Sequence, residues 1–148
     1  MWFFIIVAID QLVKYIVVST NAYIPIIKDI FNIEFTQNTG GIYGMFQGEN
    51  YIFALISIII LAFIFFYAYQ DKEKSKVKFI LWQFIIAGGI SNVIDRICRG
   101  YVVDFIQLKI LKIFDFGVFN LSDACIVLGI IAIIFLELKE IGKGSMAK

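Results

Sequence analysis

The chain is 148 residues long, 61% hydrophobic and 17% charged, with a formal net charge of +1 and a mean hydropathy of +0.89. Soluble domains are roughly half apolar and a quarter charged, so a water-soluble globular domain is excluded and a bilayer is the solvent. The sequence contains no histidine, which removes Ser-His-Asp and Cys-His catalysis and the usual zinc sites, and no basic cluster with interleaved aromatics points to nucleic acid.

A hydrocarbon core of about 30 Å needs about 20 apolar residues per helix. Four stretches qualify, the first and last at the short end: residues 2–18, 51–69, 77–98 and 121–138. They predict a single integral membrane domain over residues 1–148, an all-α membrane protein with four transmembrane helices and a small extracytoplasmic β-structured region in outer loops 19–50 and 99–120. The stretch Trp2 to Val18 has no basic n-region and no small-residue cleavage site after it, so it reads as the first span rather than a removable signal peptide. Within it, Asp10 and Lys14 stand four residues apart, the spacing of an intrahelical ion pair.

In the first outer loop Phe31, Ile33 and Phe35 alternate with Asn32, Glu34 and Thr36, the period of a half-buried strand. Asn38-Thr39-Gly40-Gly41 follows as a turn. At the outer end of the third span come Asn92, Asp95 and Arg96. Asp95 with Arg99 has ion-pair spacing, and Arg96 is long enough to snorkel to the interface. The segment Tyr101 to Gln107 is β-branched and aromatic and predicts a second short strand, with Asp104 in its middle. Asn120 and Asp123 open the fourth span at the spacing of an N-cap and its third helical residue, so Asp123 reads either as a capping residue or as a site residue; Asp104 reads either as a solvated strand residue or as its partner. Cys98 and Cys125 form no Cys-x-x-Cys pair and read as packing residues.

Four spans put both termini and the Gln70 to Lys76 loop on one side. That side carries Lys72, Lys74, Lys76, Lys78, Lys139, Lys143 and Lys148, against Lys28, Arg96, Arg99, Lys109 and Lys112 on the other, a bias that places the termini in the cytoplasm. Threaded this way, Lys14, Asn92, Asp95, Arg96, Asp104, Asn120 and Asp123 converge at the outer boundary. Charges inside lipid cost roughly 2.5 to 3.5 kcal/mol each on insertion scales, so they pair, face protein or mark function. With histidine absent, the available chemistry is a carboxylate pair. Two close carboxylates share one proton, one acting as base toward water and the other as acid toward a scissile carbonyl. Such a pair needs no metal and no organic cofactor.

In order and spacing, five blocks resemble the lipoprotein signal peptidases (signal peptidase II): Asp10-Gln-Leu-Val-Lys14, Asn38-Thr-Gly-Gly-Ile-Tyr-Gly44, Gly88-Gly-Ile-Ser-Asn-Val-Ile-Asp-Arg96, Val102-Val-Asp-Phe-Ile106 and Phe119-Asn-Leu-Ser-Asp123. The resemblance covers most of the chain. It implies an intramembrane aspartic endopeptidase of the bacterial cytoplasmic membrane that cleaves diacylglyceryl-modified prolipoproteins on the amino side of the lipidated cysteine. Asp104 and Asp123 match the family's catalytic aspartates. Supporting roles around the pocket fall to Asp10, Lys14, Asn38, Gly40, Asn92, Arg96 and Asn120. Ser91 and Ser122 depart from the glycine and alanine often found there, a small-for-small change that bears on pocket packing. Lipid-modified prolipoproteins and membrane lipids are the implied partners, and a monomer is compatible with the pattern. A proton-coupled transporter also places carboxylates in membranes, but the internal repeats and midplane site common in transporters are absent from the sequence. A structural membrane subunit would tolerate asparagine at both aspartates.

Overall fold

The computed structural model describes residues 1–40, 49–71, 75–110 and 114–146. Four helices, α1 (Trp2–Thr20), α2 (Asn50–Gln70), α3 (Lys76–Arg99) and α4 (Leu121–Met146), enclose four strands, β1 (Tyr23–Ile27), β2 (Phe31–Asn38), β3 (Val102–Ile110) and β4 (Phe114–Phe119), in the two connections on one side. All four helices are long and apolar enough to span a bilayer, the apolar part of α4 being Leu121–Gly142. They overrun the hydrophobic stretches of the sequence by one or two residues at an end, and α4 by eight. Polar end residues explain the excess, because they extend the hydrogen-bond ladder without raising hydropathy. The Ser19 and Thr20 hydroxyls donate to the Ile16 carbonyl at 2.9 and 2.8 Å and close α1, while Ser75 Oγ accepts from Lys78 N at 3.1 Å and opens α3.

The central helix is α3, which packs against α1, α2 and α4, whereas α2 makes its substantial helix contact with α3 alone. Large apolar residues such as Phe4, Leu12, Phe63, Phe66 and Leu128 remain exposed on the outer faces, as hydrocarbon rather than water requires. Between α1, α3 and α4 lies a core of Ile6, Ala87 and Cys125. Cys98, by contrast, is exposed: the packing role expected of both cysteines holds for Cys125 only.

Close approach between α3 and α4 is set at Gly88. A methyl group there would lie 2.5 Å from the Ser122 carbonyl oxygen and 2.9 Å from Ile126 Cγ1, so only glycine lets the start of α4 sit against α3. At the other end of α3, Gly100 has φ 81°, a left-handed cap that residues with a Cβ resist. The chain reverses there and enters β3, which brings Asp104 back over the end of the bundle.

The strands form one antiparallel sheet in the order β1-β2-β3-β4. The strands expected from the sequence, residues 31–36 and 101–107, become the longer β2 and β3. The sequence did not signal β1 and β4. Pro25 interrupts the first, and proline is tolerated only because β1 is an edge strand; Gly117 interrupts the second. The clean half-buried alternation expected of β2 is not observed, since every residue except Gln37 is partly buried. A register shift between Ile33 and Thr36 inserts one extra residue opposite Ile106 to Asp104. That bulge resets the facing of the strand and leaves Thr36 beside Asp104. Beneath the sheet, Val103 and Phe105 pack with Val17 of α1. By the pleat, Asp104 projects from the opposite face. Of the expected turn after β2, Gly40 N donates to Asn38 Oδ1 at 3.2 Å, an Asx-type closure, while Gly41 lies outside the described residues.

The close approach at Gly88 generates a prediction. Gly88→Ala is expected to destabilise the fold by about 1–3 kcal/mol through overpacking, measured as a lowered unfolding midpoint in detergent. Gly142→Ala, where a Cβ would meet nothing within 4 Å, is expected to be neutral or slightly stabilising.

Candidate active site

Asp104 of β3 and Asp123 of α4 arrive from separate elements and are joined through two asparagines. Asp104 is only 2% exposed, so the solvated reading of this residue is set aside. Its Oδ2 accepts from Asn38 Nδ2 at 2.9 Å and its Oδ1 from Asn120 Nδ2 at 2.7 Å. Asp123 Oδ1 accepts from Asn92 Nδ2 at 2.8 Å, and its Oδ2 from the Asn120 backbone N–H at 3.2 Å. The Asp123 N–H in turn donates to Asn120 Oδ1 at 2.8 Å. This is a reciprocal helix cap, so the capping reading of Asp123 holds, and the cap sets its carboxylate beside the asparagine that also bonds Asp104. Among the described residues Asn120 alone hydrogen-bonds both aspartates, and its Nδ2 also reaches Asn92 Oδ1 at 3.2 Å.

Burial first, and the like charge of Asp123 second, push the Asp104 carboxyl up to about 7, against the opposing pull of its bonds from Asn38 and Asn120. A carboxyl in that range holds its proton at neutral pH a substantial part of the time. Arg96 is half-buried, with Asp123, Asp104 and Asp95 in electrostatic reach. Its backbone carbonyl accepts from Asn50 Nδ2 of α2 at 2.9 Å.

Directly below the aspartates sits a buried charge cluster. Lys14 Nζ lies 2.8 Å from Asp10 Oδ2 and 2.8 Å from Asp95 Oδ2, all three side chains fully buried. Its third donor goes to Asn92 Oδ1 at 2.9 Å. An ammonium has three donors, and all are used. Because Asn92 Oδ1 accepts from Lys14 and from Asn120, its amide nitrogen is left to face Asp123, so Lys14 sets the orientation of the asparagine that holds the dyad. Asp10 further accepts from Ser91 Oγ at 2.7 Å and from Ser122 N at 3.1 Å. Asp95 accepts from Val103 N at 3.1 Å and pairs with Arg99, which donates to Gln11 Oε1 at 2.9 Å. Four elements are thereby pinned to one cluster: α1, α3, β3 and α4.

Of the nine residues singled out in the sequence, Asp10, Lys14, Asn38, Asn92, Asn120, Asp104 and Asp123 form one continuous bonded network. Gly40 joins it through Asn38, and Arg96 stands beside it. Both expected ion pairs form, but Lys14 fuses them into a single unit through Asp95. Gln11, Ser91, Asp95 and Ser122 were not expected to support the site. For Ser91 and Asp95 the signal lay in periodicity: they share the buried face of α3 with Gly88 and Asn92, which places them against protein. The two serines that depart from the resemblance divide. Ser91 is bonded, whereas the buried Ser122 Oγ has no hydrogen-bond partner among the described residues. Among the described residues no group of His, Cys, Asp and Glu could hold a metal ion.

The family model of signal peptidase (SPase) II matches residues 2–139 of the chain. A lipoprotein signal peptidase of Halothermothrix orenii is 36% identical over 128 residues, covering 84% of this chain and 84% of that protein. One of Streptococcus thermophilus is 33% identical over 138 residues, covering 91% and 88%. Two bacterial membrane enzymes solved by the in meso method, at 2.3 and 1.9 Å resolution, superpose with TM-scores of 0.85 and 0.80 at 30% and 31% identity. They cover 96% and 93% of this chain and 88% and 90% of theirs.

Removing the shared cation tests the cluster. Lys14→Met leaves Asp10 and Asp95 buried without their common partner and is expected to cost about 3–5 kcal/mol. Thermal unfolding in detergent should show the loss, and restoring the charge with Lys14→Arg should recover little of it, because a planar guanidinium does not fit the three-way ammonium geometry.

Proposed function

The chain belongs to the signal peptidase II family, and on that premise we propose that it is an aspartic endopeptidase that removes signal peptides from diacylglyceryl-modified prolipoproteins, cutting on the amino side of the lipidated cysteine. The observation that carries the aspartic assignment is the pair Asp104 and Asp123, bridged by Asn120, with Asp104 pushed up to about 7. Asp123 lies in the first turn of α4, where the helix dipole favours negative charge, and serves as the base. Asp104 holds the proton.

In the proposed reaction a water between the two carboxyls gives a proton to Asp123 while Asp104 donates a hydrogen bond to the scissile carbonyl. The water oxygen attacks the carbonyl carbon. On collapse of the tetrahedral species the carbon–nitrogen bond breaks, the amine leaves with a proton from Asp123, and the signal peptide departs as a carboxylic acid. Asn38, Asn92 and Asn120 hold the carboxyls so that no reorganisation is needed as charge develops. Lys14, Asp10, Arg96 and Gly40 support that arrangement.

The lysine bias supports cytoplasmic termini and an extracytoplasmic site. A substrate carrying acyl chains gains about 0.8 kcal/mol per buried methylene from the bilayer, which holds its modified cysteine at one depth and lowers the entropic barrier to attack. Action as a monomer is part of this proposal.

The test is cleavage by purified protein in detergent of one precursor with and without its diacylglyceryl group, followed by gel shift. Only the modified form is expected to be processed at an appreciable rate; equal kcat/KM for the two forms would overturn the lipid assignment. Asp104→Asn and Asp123→Asn are each expected to remain folded and lose at least about 10³-fold in kcat, with the double variant little worse, because residues acting as a unit lose activity non-additively.

A second prediction follows from protonation. The reaction needs Asp104 protonated, so kcat/KM is expected to fall above pH 7, by about tenfold per unit. Stability moves in the same direction. The folded carboxyl at about 7 lies above its ordinary 3.8, so the folded state binds the proton more tightly; this contribution is fully present below pH 3.8 and is lost as pH rises through 7. Asp104→Asn is expected to abolish that slope in thermal unfolding measured from pH 5 to 8.

A further inference from the structure

We propose that the cleft where α1, α2 and α3 meet, at the end of the bundle where α1 begins and α2 ends, binds one acyl chain of a membrane phospholipid as a structural ligand. The proposal stands independently of the peptidase reading and concerns a site remote from the aspartates.

The cleft follows from how narrowly α2 is held. From Ala54 onward, its residues withdrawn from the surface are Ala54, Ser57, Leu61, Ile64 and Ala68, spaced alternately three and four apart. That is the two-in-seven stripe of a single helix–helix seam. Because α2 docks by that seam on α3 and makes no substantial contact with α1, the space between α1 and α2 stays open over the face of α3. There lies a cleft of about 460 Å³, walled by Phe3 of α1, Phe65 and Ala68 of α2, and Phe79, Ile86 and Ile90 of α3. Its polar lining is already engaged within the protein. Trp82 Nε1 donates to Asp71 Oδ2 at 3.1 Å, Gln83 Oε1 accepts from the Phe3 N–H at 3.3 Å, and the Lys78 ammonium is taken by Glu137 and Glu140 of α4. What the cleft offers an occupant is apolar surface.

Depth, width and surroundings select that occupant. Lys78 and Ile90 stand twelve residues apart, about 18 Å along α3 at 1.5 Å per residue. That is close to the depth of one leaflet, half of a hydrocarbon core about 30 Å thick. A helix of the same length and about 10 Å across would occupy about 1,400 Å³, about three times the cleft, so neither a helix of a second copy nor a peptide helix fits within it. An extended acyl chain does. The cleft is also continuous with lipid-facing surface: Phe65, Tyr69 and Phe79 on its rim are 63%, 73% and 61% exposed, on helices long and apolar enough to span the membrane. Chains of the adjoining leaflet are therefore the apolar matter at its mouth. A chain laid in the cleft restores dispersion contacts that its walls otherwise lack, and it ties α2 to α1, which touch little directly.

The experiment adds synthetic palmitoyl-oleoyl phosphatidylglycerol to the purified protein in detergent and counts the lipid retained per chain by native mass spectrometry. Ala68→Phe and Ile86→Phe each add a ring to the cleft wall, Leu128→Phe adds one on the exposed face of α4 as a control, and thermal unfolding checks that each variant is folded. Wild type and Leu128→Phe are expected to retain one lipid and to unfold at a higher midpoint when it is present. Both cleft variants are expected to need at least about tenfold more lipid for the same occupancy, the penalty of overpacking a filled site, and to lose the lipid-dependent shift in midpoint. Phosphatidylglycerol and phosphatidylcholine of the same chains are expected to bind alike, since the cleft reads the chain. Trp82, which also lines the cleft, reports the location: in Trp2→Phe it is the one tryptophan left, a lipid brominated along its chain should quench it, and adding Ala68→Phe should lessen the quenching. Retention of no lipid by wild type, or equal retention by wild type and either folded cleft variant, would overturn the proposal. So would binding that follows headgroup charge instead of the chain, which would put the lipid at the basic surface, or a dimer that the cleft variants dissolve, which would make the cleft an interface between copies. None of these outcomes bears on the peptidase reading.

Discussion

A lysine ammonium held between two aspartates inside a membrane span is the constraint on which the rest of this structure depends. Lys14, Asp10 and Asp95 are all fully buried. Each charge alone would be expensive at that depth; together they are mutually neutralising except for one excess negative charge, which Arg99 answers. The cluster is therefore stable only when α1 and α3 are docked in one register. Specific pairing of this kind supplies what apolar packing in lipid does not, because hydrocarbon chains solvate a leucine surface as well as another helix does.

From that fixed point the site is assembled by short, directional steps. Lys14 orients Asn92, Asn92 holds Asp123, and Asn120 joins Asp123 to Asp104. On the other side Asp95 captures the Val103 backbone N–H, the residue next to Asp104. Both aspartates thus sit one or two hydrogen bonds from the same ion cluster. Two features let their elements come so close: Gly88, against which α4 begins, and the bulge in β2 that sets Thr36 beside Asp104.

The same cap serves two ends. An asparagine before a helix and an aspartate three residues on are common because they satisfy free backbone donors. Here the satisfaction is mutual, and it leaves Asn120 Nδ2 available for Asp104. Local helix chemistry and the site are one set of bonds. By contrast, α2 contributes little more than Asn50 to this end of the bundle, and its looser packing leaves open the clefts that line the rest of the molecule.

The four spans were legible in the sequence because hydropathy over about 20 residues is a local property that the bilayer imposes directly. The ordered blocks around Asp10, Asn38, Asn92, Asp104 and Asn120 were legible too, and they fixed the family. Other features needed the folded chain. The β1 strand is hidden by Pro25, which is acceptable only at a sheet edge, and whether a strand lies at an edge depends on its neighbours. The pairing of Lys14 with Asp95 joins residues 81 positions apart, and no local pattern ranks it above the i,i+4 pairs each could make alone. Likewise Lys78 reads in the sequence as one more cytoplasmic lysine, and only the antiparallel docking of α3 on α4 brings Glu137 and Glu140 to it. Local spacing determined which residues could lie on one face; tertiary contact decided which charges share a partner, because an ammonium in a low-dielectric interior is stable only where several donors and acceptors meet at once.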